Sequence, residues 1–91
     1  MRGAIAAQVS DVGRRIGELR RRHGWTQEEL AEIAHRSVQW VRRLESGRAN
    51  ITLATLFTVA LIFEVAPREL LREPSTRTVR RGRPPKPSRS R

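Results

Sequence analysis

Four side chains in the middle of this 91-residue chain have the chemistry needed to read DNA bases. Gln can pair with adenine, Arg can bond guanine through two hydrogen bonds, and Val can pack on a thymine methyl group. Each good pair contributes about 1–3 kcal/mol of discrimination between bases. A short helix showing such residues outward, in a strongly basic protein, is shaped to enter a major groove. The outward residues are Val38, Gln39, Arg42 and Arg43.

Two capping signals and two apolar stripes predict the elements that position these side chains. Thr26 can cap a helix of residues 27–34, with a Glu three residues later returning the hydrogen bond. Ser37 can cap a second helix, residues 38–46, which stops at Gly47. Apolar residues recur at helical spacing on the inner faces. These inner residues are Leu30, Ala31 and Ala34, then Val41 and Leu44.

Three further helices complete the predicted fold. One runs from a cap at Ser10 to Arg22, a fourth covers 53–63, and a short fifth begins at Pro67 and ends near Arg72. Two glycines, Gly13 and Gly17, weaken the first helix by about 1 kcal/mol each, so tertiary packing must hold it. No segment has the pattern of a strand. We expect an all-α, five-helix domain at residues 12–73, between a flexible arm (1–11) and a disordered basic tail (74–91).

The composition favours a polyanionic partner. Residues 1–73 hold 12 Arg and all 9 acids, net +3, whereas residues 74–91 hold 7 basic residues and no acid, net +7. The absence of Cys excludes disulfides and cysteine zinc sites. The longest apolar run, Val59 to Phe63, is too short to cross a bilayer. We expect a cytoplasmic, nucleoid-associated protein that needs no metal or cofactor.

A spaced pattern of motifs runs through the predicted helices. It is Ile16-x-x-Leu19-Arg20, Gly24-x-Thr26-Gln27-x-x-Leu30-Ala31, Ser37-x-x-x-Val41-x-x-Leu44-Glu45-x-Gly47 and Asn50-x-Thr52-Leu53-x-x-Leu56. These motifs resemble those of the Xre family, the Cro/repressor-type helix-turn-helix regulators of bacteria and phages. The resemblance covers Val12 to Leu71 and departs from the family in the turn, where His35 and Arg36 replace the usual Gly and apolar residue. That turn either loosens the packing of the two helices or adds phosphate contacts.

The resemblance implies a role for each matching position. Base edges would be read by Val38, Gln39 and Arg43, while Arg42 either reads a base or contacts phosphate or solvent. Gln27 would also brace the recognition helix. Trp40 would rest on the DNA backbone or be buried beside the second helix. Arg20 and Glu45 would form a partly buried salt bridge. The implied phosphate contacts are Gln27, Ser37, Trp40, Arg48 and Asn50.

Family members generally bind double-stranded DNA as two-fold dimers, which here implies a homodimer. The dimer surface would lie near the last helix, although the same residues could instead complete the monomer core. They are Phe63, Val65, Leu70 and Leu71.

The tail contains Arg81-Gly82-Arg83-Pro84, which resembles the core of an AT-hook, the motif of high-mobility-group A chromatin proteins. In such a motif Gly lets an extended backbone enter the minor groove while Arg side chains lie along its floor, where a narrow groove concentrates negative potential. The alternative is a generic basic arm that raises affinity through counterion release. Pro85 departs from the AT-hook pattern.

These observations favour a sequence-specific DNA-binding transcriptional regulator. Two alternatives within this class are the antitoxin of a toxin–antitoxin pair and a restriction–modification controller, each of which would regulate its own operon. A protein-interaction module that binds a partner such as a toxin, and an architectural nucleoid protein, remain open. An enzyme is not indicated, because nothing resembles a catalytic constellation and both histidines, His23 and His35, fall in predicted, solvated turns.

Overall fold

Four α-helices and one 3₁₀ helix follow one another in the computed structural model, which describes residues 2–75. They are α1 (Arg2–Arg22), α2 (Gln27–Ala34), α3 (Val38–Glu45), α4 (Leu53–Phe63) and the 3₁₀ helix (Pro67–Leu71). No strand occurs within residues 2–75, which confirms the all-α prediction for this part of the chain. No helix in the same range is long and apolar enough to cross a membrane.

Hydroxyl side chains fix the starts of α2, α3 and α4. The Thr26 hydroxyl accepts from the Glu29 N–H at 3.0 Å, and the Glu29 carboxylate accepts from the Thr26 N–H at 2.8 Å. This reciprocal pair is the predicted capping box. Ser37 and Thr52 each accept one N–H from the first turn behind them, at 3.2 and 3.1 Å. Because each cap satisfies an otherwise unpaired donor, it sets where its helix begins.

A single core holds the helices together. Ile16 and Leu30, on α1 and α2, are fully buried in it, as is Leu70 of the 3₁₀ helix. Since α2 and α3 have only eight residues each, they depend on this burial rather than on intrinsic helix propensity. The buried apolar residues are Ile16, Leu19, Leu30, Ala31, Val41, Leu44, Leu56, Val59, Ala60, Phe63 and Leu70.

The first helix is longer than predicted. It begins at Arg2, so the flexible arm expected over residues 1–11 is helical from its second residue, and Ser10 is not a cap. The Ala-rich residues at positions 4–7 are strong helix formers and extend the helix backwards. Ser10 instead lies in mid-helix, where its Cα stands 2.8 Å from the place a Cβ on Gly47 would occupy.

The predicted fifth α-helix is a 3₁₀ helix. The N–H of Glu69 donates to the Ala66 carbonyl three residues back, at 2.9 Å, because five residues are too few for a stable α-helix. The buried Arg15 of α1 ties this helix down by donating to the Glu69 carbonyl at 2.9 Å and to its carboxylate at 3.4 Å. A hydrogen bond from Arg72, together with the neighbouring arginine charges, lowers the pKa of the Glu69 carboxyl.

Candidate nucleic-acid interface

The outer face of α3 carries three polar side chains. Gln39, Arg42 and Arg43 are exposed, while Val41 and Leu44 on the inner face are buried. These three side chains, at positions i, i+3 and i+4 of the helix, therefore lie on one accessible face of α3.

Val38 does not fully share that outer face. It is half-buried and packs against the edge of the core. The reason is its spacing, because Val38 lies three residues before Val41 and therefore above the inward stripe. Val38 is therefore only partly accessible, rather than facing fully outward as the sequence predicted.

A network of charged hydrogen bonds fixes the C-terminal end of α3. Arg20 of α1 grips the Glu45 carboxylate with two nitrogens, at 2.6 and 3.0 Å, in the fork geometry that makes such pairs strong. Both side chains are about nine-tenths buried. Gln27, the first residue of α2, donates its side-chain amide to the same carboxylate at 3.1 Å. The expected Arg20–Glu45 bridge therefore joins three helices at a single acceptor.

Two glycines allow α1 to approach the same end of α3. A Cβ placed on Gly13 would lie 2.7 Å from the Gly47 nitrogen and 2.8 Å from the Leu44 carbonyl oxygen. Gly47 also holds a φ of +80°, which L side chains rarely adopt. A Cβ on Gly17 would meet the Glu45 carboxylate at 3.2 Å. Gly13, which weakens α1 as a helix, is thus required by the contact of α1 with α3, whereas the contact at Gly17 is tight but less restrictive.

The residues predicted to contact phosphate lie around the starts of the helices. Trp40, Arg43 and Asn50 line one groove together with the beginning of α4. Arg48 is exposed in the loop before it. Ser37 is also exposed, and its hydroxyl oxygen already caps α3. The structure therefore gathers most of the predicted backbone-contacting residues beside the outer face of α3.

Arg42 has an acidic neighbour that the sequence did not single out. Its guanidinium lies 3.6 Å from the carboxylate of Glu28 on α2, and both side chains are mostly exposed. Pairs of this kind contribute little in water. They nevertheless set the direction of a long side chain, so Arg42 leans towards α2 rather than standing free over the surface. No sequence signal predicts this pair, because Glu28 and Arg42 lie on different helices and meet only through the packing of α2 on α3.

The turn between α2 and α3 is closed by an unusual residue. His35 adopts the left-handed conformation, with φ of 58°, where the family pattern has Gly. Arg36 follows and places its guanidinium 4.8 Å from the centre of the Trp40 ring, a cation–π contact. Trp40 is half-buried against the core. The charged turn therefore packs on α3 through Arg36.

His23 is not simply solvated, contrary to the prediction. Its ring stacks on Trp25 with centroids 4.4 Å apart, and its Nε2 lies 3.2 Å from the Phe63 carbonyl oxygen. That carbonyl belongs to the last residue of α4, where backbone acceptors lack partners within the helix. His23 thus connects the loop after α1 to the end of α4, although the residue as a whole is exposed. His35 is exposed as well.

The residues predicted for a dimer surface separate into two groups. Phe63 and Leu70 are buried in the monomer core, so for these two residues the second alternative, completion of the core, holds. Val65 is half-buried, and Leu71 is exposed.

The minor-groove motif Arg81–Pro84 lies outside the described residues.

Comparisons with known proteins show which family has this architecture. A family model described as a helix-turn-helix domain matches residues 11–73. An uncharacterized HTH-type transcriptional regulator of Sinorhizobium fredii is 40% identical over 60 residues, covering 66% of this chain and 78% of that protein. A competence pilus inhibition repressor of Acinetobacter baylyi is 40% identical over 53 residues. That match covers 58% of this chain and 48% of the repressor, so the chain spans about half of that relative's length.

Two solved structures share the fold. The restriction–modification controller protein C.AhdI from Aeromonas hydrophila superposes with a TM-score of 0.66 at 32% identity, covering 71% of this chain and 94% of that one. A hypothetical transcription factor from Neisseria superposes with a TM-score of 0.69 at 30% identity, covering 77% and 80%. The fold and these matches define a helix-turn-helix domain of the kind found in DNA-binding transcriptional regulators. More narrowly, the chain belongs to the Xre-type helix-turn-helix family.

Proposed function

We propose that this protein binds operator DNA as a homodimer and represses transcription, with α3 lying in the major groove. The observation that carries the proposal is the exposure of Gln39 and Arg43 on a helix whose end is anchored by Glu45. Gln39 would pair with adenine and Arg43 with guanine. Val38 offers the outer part of its side chain to a thymine methyl group. Arg42, drawn towards Glu28, would contact phosphate rather than a base.

Phosphate binding is best supported at the N-terminus of α4. The first turn of α4 contains no acid, so its unpaired N–H groups and positive dipole end favour an anion. Arg48 and Asn50 precede it directly. The first turn of α2 is less favourable because it carries Glu28 and Glu29. Ser37, Gln27 and Trp40 would supply the remaining backbone contacts, which fix register rather than sequence preference.

A homodimer would present two copies of α3 to successive major-groove faces about 34 Å apart. The surface that supports it is the outer side of α4, where Leu53, Phe57 and Leu61 recur every four residues and are all exposed. Such a stripe of large apolar side chains on a small domain is typical of an interaction site. We therefore propose this stripe as the interface, in place of Phe63 and Leu70, which are buried in the monomer.

The tail would strengthen binding from outside the helical domain. We propose that Arg81–Pro84 enters an A/T-rich minor groove beside the operator, as an AT-hook does; the alternative is a basic arm acting through counterion release. Removing residues 74–91 should weaken binding in either case. Only the AT-hook predicts that the loss depends on A/T content next to the operator.

The proposal is tested by footprinting and gel-shift titration on the DNA upstream of the protein's own gene. Replacing Gln39 or Arg43 by Ala should weaken operator binding by about 10- to 100-fold each. Arg68→Ala is the matched control, because it removes an exposed Arg from the 3₁₀ helix, which packs on α1 and α4. Equal affinity of all three variants for the operator would refute base reading by α3.

A restriction–modification controller is the second candidate, favoured by the structural likeness to C.AhdI. An antitoxin of a toxin–antitoxin pair is the other form of the same alternative. Both would bind their own operator, so the DNA experiment does not separate them. Co-purification of the full chain with the product of the neighbouring gene, either a toxin or a restriction–modification enzyme, does.

A further inference from the structure

The N-terminal part of α1 extends beyond both the family match and the core. The family model begins at residue 11, whereas α1 begins at Arg2. One face of α1 carries apolar residues at helical spacing, and burial falls steadily along it towards the N-terminus. Ile16 and Leu19 are buried, Val12 and Val9 are half-buried, and Ile5 is 56% exposed. The apolar stripe of α1 therefore continues past the point at which this domain can cover it.

An open apolar groove lies directly beside this extension. It is formed between α1, the loop before α4 and the 3₁₀ helix, and its volume is about 260 Å³. Leu53 and Leu71 at its edge are 68% and 62% exposed. Small-molecule sites usually enclose about 300–1,000 Å³, so the groove is small for an effector pocket. Its lining residues are Val9, Val12, Ile51, Leu53, Leu56 and Leu71, with Ala49, Asn50 and Thr52.

Charge distribution indicates what covers this surface. The two longest stretches of the chain without Arg, Lys, Asp or Glu are residues 49–63 and 3–10, in a protein that is 31% charged with net +10. The groove is lined by residues from both stretches, because Val9 belongs to one and Ile51 and Leu53 to the other. A second copy would carry the same net charge, and like charges repel. Because none of the residues that line this groove is charged, two copies can meet there without bringing like charges of the lining together.

We infer that residues 3–10, which precede the family match, form a dimerisation arm. The arm of each copy packs its Ile5 face against the partner's exposed Leu53, Leu71 and groove, in a reciprocal two-fold contact. This contact is continuous with the outer stripe of α4 and enlarges the homodimer interface beyond the family domain. The inference deepens the homodimer of the proposed function, but it does not depend on DNA binding.

The test is sedimentation equilibrium of the full chain without DNA. Ile5→Glu places a charge in the contact of both copies and should raise the dimer dissociation constant by about 100-fold, or about 10-fold per copy. Ile5→Ala should weaken it less. Ala6→Glu is the matched control, since it adds the same charge to the same exposed segment but off the apolar stripe. Circular dichroism checks that helix content is unchanged in all three variants.

Two results would overturn the inference, and they differ in what they leave standing. If Ile5→Glu dimerises like wild type while Leu61→Glu does not, the dimer uses α4 alone and the arm has no part in it. If wild type is monomeric at every concentration measured, the homodimer fails as well. In both cases base reading remains testable through Gln39→Ala and Arg43→Ala, which alter DNA affinity and leave sedimentation unchanged.

Discussion

Replacing Gly13 by Ala should destabilise the domain, although helix propensity alone predicts the opposite. Gly13 lies inside α1, where Ala is favoured over Gly by about 0.8–1.0 kcal/mol. In the structure, however, the added Cβ would stand 2.7 Å from the Gly47 nitrogen and 2.8 Å from the Leu44 carbonyl oxygen. Both neighbours are backbone atoms, which cannot rotate away as a flexible side chain would.

The expected change in the free energy of unfolding is the difference between the cost of the clash and the gain in helix propensity. Forcing one extra carbon into a closely packed contact typically costs about 1–3 kcal/mol. After the gain of about 0.8–1.0 kcal/mol in helix propensity is subtracted, Gly13→Ala should lower the free energy of unfolding by up to about 2 kcal/mol. In a domain of this size each kcal/mol corresponds to about 4–8 °C in melting temperature. Relief of the clash must move the end of α3, so operator affinity should fall as well.

Two other glycines of α1 supply the controls. A methyl group on Gly3 would have no neighbour within 4 Å among the described residues, so Gly3→Ala should be neutral or stabilising by up to about 1 kcal/mol. Gly17→Ala should lie between the two, because its closest neighbours at 3.2 Å are the side-chain ends of Arg21 and Glu45. Thermal unfolding of the three variants measures the order. A Gly13→Ala protein as stable as wild type would show that α1 and α3 are not packed this closely.

Two further predictions concern the ends of α3. Glu45→Ala should lower the free energy of unfolding by about 3–5 kcal/mol, because it leaves the buried Arg20 charge without its acidic partner. Urea titration measures this loss of stability. The control is Glu32→Ala at an exposed position, which should change stability by less than about 0.5 kcal/mol. His35→Gly should raise the melting temperature, because the left-handed conformation costs an L residue about 1–2 kcal/mol. Arg36→Gly, at a position without positive φ, should not raise the melting temperature. A higher melting temperature in both variants would contradict the strain argument for His35.

Local signals were sufficient to predict the middle helices. The bounds of α2 and α4 match the sequence prediction because a hydroxyl cap, an apolar stripe and a stop signal coincide at each. The start of α1 was missed because no capping residue precedes Arg2. The position at which the helix begins is therefore marked by helix propensity alone, while packing holds the rest of the helix. The short segment after Pro67 was given the right place but the wrong helix type, since α and 3₁₀ turns share the same starting signals.

Long-range contacts were outside the reach of the sequence. Gly13 was interpreted as a weakness of α1 because the Gly47 backbone that requires it is distant along the chain. Burial of Phe63 depends on where α4 lies against the core, and His23 finds its partner only at the end of α4. The Arg20–Glu45 pair was expected only because the family resemblance supplied it. Spacing alone does not show which of many arginines meets which acid.

The structure fixes the two ends of α3 by different means, and this difference bears on the proposed recognition of operator DNA. An eight-residue helix is too short to be stable by itself, so its orientation is set by what holds its ends. At the N-terminal end, Ser37 and the strained His35 turn join α3 to α2. At the C-terminal end, Glu45 and the glycine contact join it to α1. Base contacts require positioning within about 0.5 Å, so changes at His35 or Glu45, which are not among the proposed DNA contacts, should alter operator affinity.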